Sequence, residues 1–343
     1  METDEHQTEI ETKKNEPNAA AEKQQKSLFK PAWWLPGSHM QTLWPTLCRR
    51  LIKDVKLKRE RFELPDGDFV DLDWAGHGHG PVILVLHGLE GSVNSPYANG
   101  MLNAVQQQGW RGVLMHFRGC SGEDNRHPRT YHSGDTADLN AVITALQARE
   151  PGVPFAAVGF SMGGNVLLKW LGELGSKNPL KAAVAVSVPF ELHKTSLRIQ
   201  AGFSRVYQFY FMLGLRKKMR DKFKAKPAPF EVAALAKMQT IEEFDDKVTA
   251  PLHGFASADD YYTKASCRQF LHKIAVPTLL IQAKDDPFMT DDLLPDQDEL
   301  SPEVILELTE KGGHVGFVSG AFPWRAEYWL EQRVPEFLEQ FLT

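Results

Sequence analysis

Cysteine is scarce and badly placed for cross-linking. The three residues, Cys48, Cys120 and Cys267, are odd in number, far apart and without a C-x-x-C pair. That argues against a disulfide framework or a zinc site and fits a reducing, cytoplasmic compartment. Long apolar runs are missing too, and none reaches membrane-spanning length. Neither sign of charge dominates: 39 Lys and Arg face 44 Asp and Glu, for a net charge of −5. A balance of that kind favours neither nucleic acid nor an anionic membrane surface. No internal repeat is visible. Residues 1–27 are acidic and poor in apolar side chains, with no hydrophobic core of a signal peptide, and they read as a disordered tail.

What is present is ample material for a core. Hydrophobic residues make up 42% of the 343 residues and charged ones 24%, the proportions of a soluble globular protein. From residue 28 the segment Phe29 to Pro45 is dense in Trp and Pro and reads as a strap packed along the core, its edge contributing to a pocket. In it His39 reads as a structural hydrogen-bonder. Lys56–Leu64 and Phe69–Trp74 flank Pro65-Asp66-Gly67-Asp68 as a β-hairpin. The histidines of Gly76-His77-Gly78-His79-Gly80 sit in a turn with no third ligand nearby.

Short apolar runs then alternate with helical patterns. Pro81–Leu86, Gly112–His116, Val153–Phe160, Leu180–Val188, Val276–Gln282 and Glu303–Leu308 read as buried, parallel-type strands. Ser95–Gln108, Asp135–Ala148 and Trp324–Phe341 read as helices. The alternation breaks at residues 191–273, a helical-looking insertion read as a cap or lid. Its aromatics are expected mostly in the cap's own core, a few lining an acyl pocket. The basic run from Arg216 to Lys226 reads as a solvated helix face.

Chemistry is concentrated at the strand ends. Gly159-Phe160-Ser161-Met162-Gly163 matches G-x-S-x-G between an apolar strand and a helix that buries Val166, Leu167, Trp170 and Leu171. A sharp turn there forces the serine into a strained conformation that lifts its hydroxyl above the sheet edge. A nucleophilic serine needs a base, and a base of that kind needs a carboxylate to fix its tautomer. Asp286, just past the Val276–Gln282 strand, is the expected carboxylate, with neighbouring Asp285 as the fallback. His314 is the expected base, on a flexible glycine loop after the last strand that lets it swing over Ser161. The order Ser, Asp, His is that of an α/β hydrolase. The backbone N–H groups of Leu89, in His87-Gly88-Leu89-Glu90-Gly91-Ser92, and of Met162 are the expected oxyanion donors. Cys120 has no matched base and reads as a loop residue beside the site.

These motifs, with His116-Phe117-Arg118-Gly119-Cys120-Ser121-Gly122, Lys284-Asp285-Asp286-Pro287-Phe288, Gly312-Gly313-His314-Val315-Gly316-Phe317 and the strap segment Gln41-Thr42-Leu43-Trp44-Pro45, resemble the YheT-like hydrolases of the α/β-hydrolase superfamily. The resemblance spans nearly all residues after the tail. It implies an α/β-hydrolase fold, a mostly parallel eight-stranded sheet with flanking helices and a helical cap insertion. On it the core is 28–190 with 274–343, and the cap 191–273. It also implies hydrolysis of carboxylic esters, short- to medium-chain acyl esters or acylglycerols, without metal or cofactor. The partner expected is a small-molecule ester, with no nucleic acid and no integral membrane segment. An acyltransferase using an alcohol in place of water, or a hydrolase fold kept as a binding module, are the competing readings.

Overall fold

The computed structural model describes residues 24–342 apart from Ala225. The tail expected over 1–27 therefore lies outside the described residues up to position 23, while its last residues contradict that boundary: Gln24–Lys26 form a strand, β1. The sheet has nine strands in the order β1-β9-β8-β7-β6-β4-β5-β3-β2. Its other members are β2 (Lys58–Glu63), β3 (Phe69–Ala75), β4 (Val82–Leu86), β5 (Arg111–Met115), β6 (Phe155–Phe160), β7 (Ala182–Val186), β8 (Thr278–Ala283) and β9 (Val304–Thr309). The β2–β3 and β3–β5 pairs are antiparallel and all the others parallel. Strand β1 extends the expected eight strands by pairing parallel with Leu306–Leu308. Strand pairing uses only backbone groups, so polar residues can cover an open sheet edge. Ser27 pins the junction by donating to the buried Glu307 carboxylate at 2.6 Å, and Arg333 pairs with the same group.

Helices cover both faces, in keeping with strands that are apolar on both sides. Helices α3 (Ala137–Arg149) and α4 (Met162–Leu174) pack on one face with Leu84, Leu86 and Ala157. On the other face α2 (Pro96–Gln107) and α10 (Leu330–Leu342) pack against Ile83, Val85 and Val158. Alternate residues of β4 enter different cores because strand side chains alternate. The Trp-rich strap is largely helical: α1 spans Ser38–Cys48. Helix α10 starts six residues later than its sequence pattern suggests, because Glu327–Tyr328 (β11) first pairs with Val318–Ser319 (β10). No helix among the described residues is long and apolar enough to cross a membrane.

Between β7 and β8 the chain forms α5 (Leu192–Ile199), α6 (Arg205–Lys222), α7 (Ile241–Phe244), a π-helical turn over Asp245–Thr249, α8 (Ala250–His253) and α9 (Ala258–Ala265). The basic run is not a uniformly solvated face. Lys222 is buried against Asp124 and Asn125, and Lys218 donates to Glu90 at 2.6 Å and to Cys120 Sγ at 3.1 Å. The long methylene stems of both lysines let α6 reach inward to loops of the α/β core. Nor do the insertion's aromatics all turn inward, since Phe203, Phe209 and Tyr210 are exposed.

Candidate active site

Strands β4, β6, β8 and β9 are mutually parallel, so the segments that leave their carboxyl ends meet on one rim of the sheet. Ser161 follows β6 directly, at φ 52° and ψ −122°, outside the regions that L-residues normally occupy. The turn is possible only with glycine beside it. A Cβ on Gly159 would fall 2.6 Å from Gly163 O, and one on Gly163 would fall 2.5 Å from His87 O. Strand, turn and helix are thus in backbone contact, and α4 directs its free N–H groups at the space beside Ser161 Oγ.

Three of the side chains singled out by sequence come together here. His314 Nε2 lies 2.9 Å from Ser161 Oγ, and His314 Nδ1 lies 2.8 Å from Asp286 Oδ2. Asp286 is 2% exposed and also accepts from Phe288 N–H at 2.9 Å and from Gln282 Nε2 at 3.1 Å. A buried acceptor so surrounded keeps Nδ1 of His314 as the protonated nitrogen and leaves the Nε2 lone pair facing the serine. The Phe288 ring packs 4.1 Å from the imidazole, centroid to centroid.

Asp285 does not reach the imidazole. Its Oδ1 accepts from the Gly313 N–H at 2.9 Å, and burial pushes its carboxyl above the usual range while the Gly313 and Gly312 amides act the other way. The loop bearing His314 is accordingly pinned, contrary to the flexible segment expected. Gly313 N–H is held by Asp285, His314 N–H by Thr42 Oγ1 at 2.9 Å and Val315 N–H by Ser187 Oγ at 3.0 Å. Its glycines serve close approach: a Cβ on Gly313 would lie 2.5 Å from Ser38 O. Gln41 clamps the next segment by bonding both N–H and C=O of Val318. The strap helix α1 therefore buttresses the histidine. Sequence reading had given that segment an edge role in a pocket, and Thr42, Ser187 and Gln41 carried no signal of this one.

The loop after β4 is fixed by different means. His87 is fully buried, and burial pushes its imidazole down to about 3, so it is neutral. It donates from Nδ1 to Gly88 O at 2.7 Å and accepts the Phe117 N–H at Nε2 at 3.1 Å. Gly88 C=O shares a planar trans peptide with the Leu89 N–H, which must point the opposite way. The flanking amides are taken: Gly88 N–H donates to Tyr97 Oη at 2.8 Å and Glu90 N–H to Tyr131 Oη at 3.0 Å. The Leu89 and Met162 N–H groups meet no protein acceptor among the described residues. Glu90 has φ 53°, and its carboxylate binds both Tyr131 Oη and Lys218 Nζ at 2.6 Å. Cys120 accepts from that lysine, and burial pushes its thiol up to about 11, far from a nucleophile's range.

Above the rim lies a mostly apolar cavity lined by Leu89, Ser161, Met162, Phe211, Phe288 and His314. Leu89, Met162, Asp245 and Tyr261 also line a second lobe that joins it.

Residues 81–321 match the family model described as alpha/beta hydrolase fold. The Escherichia coli (strain K12) protein YheT is 47% identical over 320 residues, 92% of this chain and 94% of that one. The chain belongs to the YheT-like branch of the α/β-hydrolase family. A phospholipase from Mus musculus, ABHD3, is 32% identical over 312 residues, 88% of this chain and 75% of that one. Saccharomyces cerevisiae monoacylglycerol lipase is 28% identical over 269 residues, 76% of this chain and 59% of that one. Among solved structures, the Pyrococcus furiosus esterase Pf2001 shares the fold at a TM-score of 0.57 and 18% identity, covering 84% of this chain and 92% of that one.

Proposed function

We propose that this α/β hydrolase cleaves carboxylic esters through an acyl-enzyme on Ser161. The observation that carries the reading is the imidazole of His314 held between Ser161 Oγ at 2.9 Å and Asp286 Oδ2 at 2.8 Å. His314 Nε2 takes the hydroxyl proton as Oγ attacks the ester carbonyl. Asp286 accepts the Nδ1–H and stabilises the imidazolium that forms. The oxyanion draws on the Leu89 and Met162 amides, and loss of one such donor typically costs about 3 kcal/mol of transition-state stabilisation. Collapse breaks the acyl–oxygen bond, and the alkoxide leaves with the proton from His314. Water, deprotonated by the same imidazole, then releases the acid and restores Ser161.

Two features support acyl esters as substrates. The cavity joining Ser161 and His314 is lined mainly by apolar side chains, and named relatives are a phospholipase and a monoacylglycerol lipase. The helical insertion over 191–273, which contributes Leu192, Phe211 and Ile241 to that cavity, serves in this reading as its cap. A fluorophosphonate probe should label the wild-type protein and fail to label Ser161→Ala. A panel of p-nitrophenyl esters should then give hydrolysis that the same substitution abolishes. A wild-type protein that neither labels nor hydrolyses any ester of the panel overturns the reading.

A further inference from the structure

Helix α6 is apolar on two opposite sides. Inward, Met212, Leu215 and Met219 join a small core with Phe244, and Phe211 lines the cavity. Outward, Val206, Phe209, Tyr210 and Leu213 are 51%, 61%, 76% and 47% exposed. Their spacing of i, i+3, i+4 and i+7 makes a single stripe, and Phe203, in the turn just before, is 51% exposed. The outward stripe packs on no part of the chain's own core clusters among the described residues. Contiguous exposed apolar surface of this kind marks an interaction site.

Charge says what covers it. One and two turns beyond Leu213 the same stripe carries Lys217 and Arg220, and Arg205 stands at its other end. Asp221 binds both Lys217 and Lys224, while Arg205 and Arg220 have no carboxylate partner among the described residues. The overall charge of −5 conceals this cationic margin. Aromatic and aliphatic side chains flanked by cations on one helix face are the pattern of helices lying in a bilayer interface. We propose that the outer face of α6 docks on an anionic lipid surface. In that arrangement Phe209, Tyr210 and Leu213 enter the headgroup–acyl boundary, and Arg205, Lys217 and Arg220 meet lipid phosphates.

Other occupants fit less well. Residues 1–23 offer, apart from alanines and Pro17, only Met1 and Ile10 as apolar side chains, too few to cover the stripe. A second copy related by a two-fold axis would lay the Arg205 end of one α6 against the Lys217 and Arg220 end of the other, cation facing cation. Docking on lipid would leave the opposite face of α6, with Phe211, over the cavity.

The test uses the full chain and vesicles of phosphatidylcholine, alone or mixed with phosphatidylglycerol, with cosedimentation as the readout. It needs no turnover, so it stands whether or not the ester reading holds. The wild-type protein should bind the mixed vesicles more tightly than the neutral ones. F209S/L213S should weaken that binding by about tenfold or more, with an unchanged circular dichroism spectrum. R205Q/R220Q should remove the preference for anionic vesicles. Failure of the wild-type protein to sediment with either vesicle overturns the proposal. So does wild-type binding by F209S/L213S, or a solution dimer that this variant splits, which would make a second copy the occupant.

Discussion

Two loops on the same rim of the sheet are held in opposite ways. The loop bearing His314 is anchored by Asp285, Ser187 and Thr42, which belong to the sheet's own strand ends and to α1. The loop bearing Leu89 is anchored by tyrosine hydroxyls and, through Glu90, by Lys218 of the insertion. Displacing the insertion should therefore loosen the oxyanion side while leaving the base in place. The His314 imidazole and the Leu89 backbone N–H thus answer to different parts of the molecule.

The sharpest break of the histidine side is Asp286→Asn. It should lower kcat by about 10³–10⁴-fold, because an amide can hold the wrong imidazole tautomer. Asp285→Asn should cost far less, because that carboxylate meets a backbone N–H rather than the imidazole. Ester hydrolysis by the two purified variants is the measurement, and equal losses would mean that the acid's role is misassigned.

On the other side, Lys218→Met leaves the Glu90 carboxylate with Tyr131 alone and slackens the loop on the Glu90 side of the Leu89 amide, while His87 still holds the Gly88 carbonyl. We expect kcat to fall by about 10–100-fold with KM little changed, since a loosened oxyanion donor is felt mainly in the transition state. Lys218→Arg should restore much of the loss. A change in KM alone would tie Lys218 to ground-state binding instead. Thr42→Val is the milder counterpart for the histidine loop. It removes the acceptor of one backbone N–H, worth about 1–2 kcal/mol, and a several-fold drop in kcat without the Lys218 pattern of rescue would keep the two sides distinct.

This contrast shows what a one-dimensional reading can and cannot reach. Strands β4, β6, β7 and β8 are short, wholly buried and mostly apolar runs, so the α/β architecture is legible. Ser161 and Asp286 stood out because each follows such a run and His314 because it follows β9, and parallel strands bring their ends to one edge. The supports were silent. Thr42 and His314 are 272 residues apart, and Ser187 and Val315 are 128 apart. Nothing local marks a hydroxyl as the partner of a distant amide. Glycine misleads in a particular way, because the residue that lends flexibility also permits close approach, and Gly313 serves the second purpose. Strand β1 escaped notice because pairing on an edge asks nothing of its side chains. The outward stripe of α6 escaped because an exposed and a buried aromatic leave the same letter in a helix.

The smallest expected effect concerns the insertion's own stability. Asp245 starts the π-helical turn between the two lobes, its oxygens bonded by Thr249 and Tyr262 hydroxyls at 2.7 Å and 2.9 Å. Burial, against those hydroxyls, pushes its carboxyl up to about 6, whereas in the unfolded chain it ionises near the ordinary value of about 3.9. Between those two values the folded state binds more protons than the unfolded one. Stability therefore falls as pH rises from about 4 to 6 and changes no further, on this group's account, above that. Asp245→Asn removes the titration. Relative to wild type, its Tm should climb by a few degrees as pH is raised across that window. Thermal melts of both proteins at a series of pH values read this directly. Parallel pH profiles would mean that the carboxyl is as well solvated as a surface one, and that the insertion around it opens more readily than the His314 loop.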